Sequence, residues 1–240
     1  MISTHNIRDL PFDILPIVRL SHGSPPGVIA LCGTGFLVAP GILMTCWHCV
    51  SGSKDRTDLG VLVPDRKRQS LQSHRLSAVS QDTAGFDLAT ARVDLSPRVC
   101  LRPVDEEHPA GTEVVTSGYP LLQVTSPGDV ARPSDMGGRI LQGYVMHCIE
   151  YEHPGFRLTP TYELDMLAPG GLSGAPIARR NSDMVVGIIY GSNDVSRGEQ
   201  RVISIGHAHH LKSIREHATE ATGGRTIGDL VDDPATWRGV

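Results

Sequence analysis

Apolar residues in this chain come in short runs closed by Gly, Pro, Asn or Asp, and they seldom recur at helical spacing. Ile14–Leu20, Val28–Val38, Gly41–Cys46, Leu59–Val63, Leu88–Val93 and Glu113–Gly118 read as strands. So do Arg139–Tyr151, Arg157–Leu164, Pro176–Ala178, Met184–Tyr190 and Arg201–Ile205. With 26 glycines and 17 prolines to turn the chain between them, this pattern predicts an all-β barrel or sandwich. One stretch departs from it. Over Ala208–Thr219, AHHLKSIREHAT, the positions of Leu211, Ile214 and Arg215 predict a helix packed on one apolar edge. Gly223-Gly224 would end that helix, and residues 220–240 are polar enough for a tail or linker. The Pro- and acid-rich stretch Pro97–Gly111 reads as a boundary between two all-β halves, 14–110 and 111–219, with 1–13 as an N-terminal extension.

Composition removes several classes of function. At 240 residues and 40% hydrophobic, the chain can bury a substantial core. Aromatics make up only 5%, so stacking on bases or sugars is not a theme, and a net charge of −4 gives no general attraction to nucleic acid or anionic membranes. Arg66-Lys67-Arg68 is a short basic cluster that reads as a solvated loop. No apolar run approaches the length of a membrane span, and the first twenty residues lack the pattern of a secretory signal. An odd number of cysteines, five, fits a reduced, cytoplasmic protein.

Three segments carry chemistry. CGTGFLVAPGILMTCWHCV, Cys32–Val50, reads as two strands around a Pro-Gly turn, with His48 where the second strand ends. GFDLATARVDL, Gly85–Leu95, puts Asp87 at the start of an alternating strand. APGGLSGAPI, Ala168–Ile177, holds Ser173 in a glycine-rich loop before a further strand. A serine hydroxyl is a poor nucleophile at neutral pH and needs a base; a histidine base needs a carboxylate to hold its tautomer and its charge. The oxyanion of acyl transfer needs backbone N–H donors held in place, and glycines allow Gly171 and Ser173 to aim theirs at one point. Asp82 and Asp94 compete with Asp87 for the acidic role, and each reads as a solvated or capping carboxylate.

Taken in order, GTGFLV, MTCWHCV, FDLATARV and GGLSGAPI resemble the chymotrypsin/trypsin family, especially its bacterial branch. The likeness runs from about Ile14 to Ala218. It implies two antiparallel six-stranded β-barrels with the active site in the cleft between them, and a C-terminal helix. It also implies a serine endopeptidase acting on proteins or peptides without cofactor or metal. His48 matches the family's general base, Asp87 its orienting carboxylate, Ser173 its nucleophile, and Gly171 with Ser173 its oxyanion donors. Cys32 and Cys49 match two positions that are disulfide-bonded in secreted animal enzymes, which leaves open a bond or two adjacent thiols here. By the same matching the substrate pocket is lined by Leu167, Ala168, Tyr190, Gly191 and Val202, none of them charged, so an apolar or small residue should be preferred. Two positions depart from the family. Leu172 stands where the digestive enzymes carry the Asp of their zymogen switch, so control by a regulatory protein or effector partner is expected. Cys46-Trp47 precedes His48 where small residues are common.

Other readings meet specific obstacles. Cys46-x-x-Cys49 has redox spacing, but its context is a β-barrel and not the α/β unit that activates such thiols. His207, His209 and His210 lack a further ligand at motif spacing and read as a partly exposed helix start. GLSGA at Gly171–Ala175 approaches the elbow of α/β-hydrolase esterases, which would then need Asp194 and His207 in a chain with alternating helices. A protease-like binding module would be expected to lack a triad residue, and none is lacking.

Overall fold

The structure is a computed structural model. It describes residues 14–23, 26–52, 58–65, 70–95, 100–104, 106–120, 138–152, 155–180, 182, 184–197, 200–210 and 214–236. Thirteen strands and two short helices are placed among them. The first barrel is built from β1 (Ile14–Leu20), β2 (Val28–Ala39), β3 (Ile42–Thr45), β4 (Leu59–Asp65), β5 (Ser70–Gln81) and β6 (Ala89–Val93), closed in the order β1-β2-β3-β6-β5-β4. A four-residue helix, α1 (His48–Ser51), follows β3. After β7 (Arg102–Pro103) the second barrel uses β8 (Glu113–Gly118), β9 (Arg139–Tyr151), β10 (Thr159–Leu164), β11 (Pro176–Arg179), β12 (Met184–Arg197) and β13 (Gln200–His210). Its strands run β11-β8-β9-β10-β13-β12, and the β11–β12 pairing closes the ring. Apart from the parallel β7–β12 pair, every ladder is antiparallel. The expected pair of six-stranded barrels is therefore present.

Alternation explains the inward faces. Along β8 every second residue is buried, and Val114 joins Val145, Tyr162, Leu164, Ile177 and Ile189 in the second core. The first core is centred on residues such as Ile17, Phe36, Leu37 and Leu43. β5, SLQSHRLSAVSQ, was not among the expected strands. Its polar residues dominate the sequence pattern, and it becomes a strand because both edges are paired, by β4 and by β6.

The C-terminal expectations need correcting. Residues Ala208–His210 are not the start of a helix but the end of β13, which continues along β12 as far as Gly187↔His210. Barrel closure satisfies the backbone there and buries His207, His209 and His210, so cross-strand pairing overrides the local apolar spacing. Leu211 lies outside the described residues, and Ile214 begins a turn. The C-terminal helix comes later, as α2 (Ile227–Asp232), started by a capping box in which Thr226 and Asp229 bond each other's backbone N–H. Residues 220–236 are accordingly a packed segment and not a tail. Ile214, Ile227, Leu230 and Val231 enter the core of the first barrel, while Arg92 Nε donates to the Ala221 carbonyl at 2.8 Å. No helix among the described residues is long and apolar enough to cross a membrane.

Candidate active site

His48 opens α1 immediately after β3, and Asp87 ends the loop between β5 and β6; since β3 and β6 are neighbours, the two meet. His48 Nδ1 lies 2.6 Å from Asp87 Oδ2, and the His48 backbone N–H donates to Asp87 Oδ1 at 2.9 Å. Asp87 is wholly buried, whereas the His48 side chain is 35% exposed. One ring edge is thus fixed by a carboxylate while the rest of the ring stays accessible. Burial alone would raise the Asp87 carboxyl, but the nearby His209 ring and then the His48 hydrogen bond outweigh it and draw the group down to about 2. Burial works against the His48 cation, yet Asp87 and the neighbouring Cys49 sulfur stabilise it, and the ring is held above its ordinary range.

Ser173 reaches this place from the other barrel. Its carbonyl accepts the Thr34 N–H at 2.8 Å and the Cys49 thiol at 3.4 Å, so its main chain abuts both β2 and the residue after His48. The Ser173 hydroxyl donates to the Tyr190 carbonyl at 3.3 Å. The loop before it is shaped by glycine. Gly171 has φ +94°, and Gly174 has φ +86° with so little room that an added Cβ would lie 2.0 Å from the Thr34 carbonyl oxygen. Within the loop, Leu172 N–H donates to Pro169, Gly174 N–H to Ile189 and Ala175 N–H to Leu172. Among the described residues the N–H groups of Gly171 and Ser173 have no such backbone acceptor.

The remaining expected positions scatter in character. Ala168 and Tyr190 are buried, Gly191 has open space where a Cβ would stand, and Leu167 is 46% exposed. Val202 belongs to β13, with its side chain outside the described residues. Leu172, before the serine, is fully buried in the second core. Asp82 is not a solvated carboxylate; it is buried, forms a close ion pair with His217, and accepts the Phe86 N–H at 3.0 Å. All five cysteines are free thiols, Cys32 and Cys49 included. It is Gly33 that faces Cys49, whose sulfur would lie 2.5 Å from an added Cβ.

Two contributors were not assigned to this site from the sequence. Thr34 clamps the serine loop, donating from Oγ1 to the Gly171 carbonyl at 2.7 Å besides its N–H bond to Ser173. The GTGFLV segment contained that signal. His209 lies with Nε2 4.0 Å from Asp87 Oδ2 and stacks on Tyr190 at 4.2 Å between ring centroids. Only the β12–β13 register brings it there.

The profile of the trypsin-like peptidase domain matches residues 33–188, well over half of the chain. The chain belongs to that family. Its fold is similar to the Rv3671c protease from M. tuberculosis in the active form, with TM-score 0.61 and 20% identity over 87% of this chain and 80% of that one. It is likewise similar to the MamO protease domain from Magnetospirillum magneticum, with TM-score 0.61 and 16% identity over 87% and 96% of the two chains. The HtrA-type protease AlgW with a decapeptide gives TM-score 0.59 and 15% identity over 88% and 65%. No curated protein sequence is similar enough to count as a relative.

Proposed function

We propose that this trypsin-like peptidase is a serine endopeptidase that works through an acyl-enzyme, with Ser173 as nucleophile, His48 as base and Asp87 as the orienting carboxylate. The observation that carries the reading is the His48–Asp87 pair at 2.6 Å, with Asp87 sealed and His48 open beside the Ser173 loop. The Ser173 hydroxyl turns from the Tyr190 carbonyl to Nε2 of His48, gives up its proton there and attacks the scissile carbonyl. His48 then returns the proton to the leaving amine, and water repeats the sequence to release the acyl group. The paired N–H groups of Gly171 and Ser173 receive the oxyanion of each tetrahedral intermediate. None of these steps uses a cofactor.

Buried Leu172 offers no carboxylate for a newly freed amine, so activity should not await N-terminal cleavage. Ala168, Tyr190 and Gly191 are themselves uncharged, which favours an apolar or small residue before the scissile bond, each buried methylene adding about 0.8 kcal/mol. A fluorophosphonate probe tests the mechanism: it should label Ser173 in the unmodified chain, and labelling elsewhere or not at all overturns the assignment. Peptide-library cleavage tests the pocket, and a strong preference for Arg or Lys would show that an acidic side chain reaches it.

A further inference from the structure

The peptide groups on both sides of the Ser173 N–H are tied down, and one residue of the first barrel does half of the tying. The peptide joining Gly171 to Leu172 has its carbonyl bonded by the Thr34 hydroxyl at 2.7 Å, while its N–H donates to the Pro169 carbonyl at 3.1 Å. The peptide joining Ser173 to Gly174 has its carbonyl bonded by the Thr34 N–H at 2.8 Å, while its N–H donates to the Ile189 carbonyl at 2.7 Å. Thr34 is itself firmly seated. It is wholly buried, its Oγ1 accepts the Tyr119 N–H at 3.2 Å, and its carbonyl accepts the Thr45 hydroxyl at 2.7 Å. We infer that Thr34 is a positioning residue for the oxyanion hole, its hydroxyl reaching across from the first barrel to hold the Gly171–Ser173 loop in its working form.

The loop needs such an outside hold. An oxyanion hole works only if its donors are aimed before charge develops, yet the Gly170-Gly171 pair that allows the turn is the least restrained stretch the chain could use. Leu172 is fully buried, and an apolar side chain fixes where the chain passes without fixing how a peptide plane is rotated. The Thr34 hydroxyl supplies the missing direction. If the Gly171–Leu172 peptide rotated away, a buried hydroxyl and a carbonyl would both lose their partner, a penalty that keeps the loop in one form. The surroundings are built around that hydroxyl: a Cβ on Gly118 would lie 2.8 Å from Thr34 Oγ1 and 2.8 Å from Leu172 Cδ2. Leu172 offers no charge for an ion pair, so a neutral hydrogen bond between the barrels takes over the fixing of the loop. The inference rests on the serine-peptidase reading, which supplies the oxyanion.

The test separates the hydroxyl from the packing, in the full chain. Thr34→Val should lower kcat about 100-fold with KM changed by no more than about threefold, and Thr34→Ser should bring kcat back to within about fivefold of the unmodified chain. Thr116→Val removes another buried hydroxyl, one that donates to the Pro176 carbonyl at 2.8 Å, and should leave kcat within about threefold. A peptide aldehyde, whose adduct with Ser173 places an oxygen in the hole, should bind Thr34→Val about 100-fold more weakly, while the matching peptide alcohol binds both chains alike. Equal losses at Thr34 and Thr116, equal losses in the Val and Ser variants, or equal weakening of aldehyde and alcohol would each overturn the inference. Hydrogen exchange of the Tyr119 N–H in the unmodified chain needs no variant to fold: protection of about 100-fold or more is expected, and free exchange overturns the clamp. Absence of both hydrolysis and fluorophosphonate labelling in the unmodified chain would count against the peptidase reading, while the exchange measurement would still decide whether Thr34 holds its partners.

Discussion

Two histidine–aspartate pairs share one loop of the first barrel, and the proposed function gives them opposite roles. Asp87, at the loop's end, meets His48 from α1; Asp82, at its start, meets His217 from the segment after β13. The chemistry of the two pairs is the same and their surroundings are not. The His48 side chain is 35% exposed beside a serine loop, whereas that of His217 is 8% exposed and Phe86 packs edge-on against its ring. A carboxylate can orient an imidazole anywhere, but the pair becomes a proton-transfer device only where the far edge of the ring meets a hydroxyl and a substrate. Sealed from both, His217–Asp82 is a strut. It pins the C-terminal segment to the loop that presents Asp87, helped by the Thr90–Thr219 hydroxyl contact at 2.6 Å.

The sharpest way to break the comparison is at the Ser173 hydroxyl, which the proposed function assigns to only one pair. Ser173→Ala should lower peptide hydrolysis on the order of ten-thousand-fold or more, with the unfolding midpoint unchanged. Near-normal turnover in that variant would reduce His48–Asp87 to a second strut. Next in size is Asp87→Asn, which leaves His48 in the wrong tautomer; kcat should fall by about a thousandfold or more at neutral pH, measured as initial rates.

Asp82→Asn should invert the pattern. Weakening a buried ion pair costs about 3 kcal/mol, read as a lower urea midpoint, while kcat falls far less than for Asp87→Asn. A larger kinetic loss at Asp82 than at Asp87 would exchange the roles of the two pairs. Smallest is the effect of mild acid. Burial tends to raise Asp82, but the His217 hydrogen bond outweighs it and holds the carboxyl below its usual range. A depressed folded value means that the strut contributes fully above the unfolded carboxylate range near pH 4, and that this contribution fades as pH drops through the folded value. Thermal scans should therefore show the Asp82→Asn penalty shrinking below about pH 4. A penalty that stays constant to lower pH would mean that the ionised carboxylate is not what the strut uses.

Local pattern in the sequence was enough for most of the strands, because alternation and turn residues act over a few positions; Glu113–Gly118 and Arg139–Tyr151 begin and end where that pattern places them. The His48, Asp87 and Ser173 candidates were legible for a related reason, since each sits in a short segment whose glycines and strand ends serve its chemistry. Tertiary structure alone decided whether Asp82 faces water or His217, and whether His209 starts a helix or lies beside Asp87. It also decided whether the chain after Thr219 trails away or fills the first core. These outcomes depend on partners that are more than a hundred positions apart, and on a barrel closure that must satisfy every backbone group along β13. Helical spacing over twelve residues carries no information about either. Burial of Ile227, Leu230 and Val231 needs the first barrel already standing, so the sequence of the C-terminal segment reads as polar tail until there is a surface for its few apolar residues to meet.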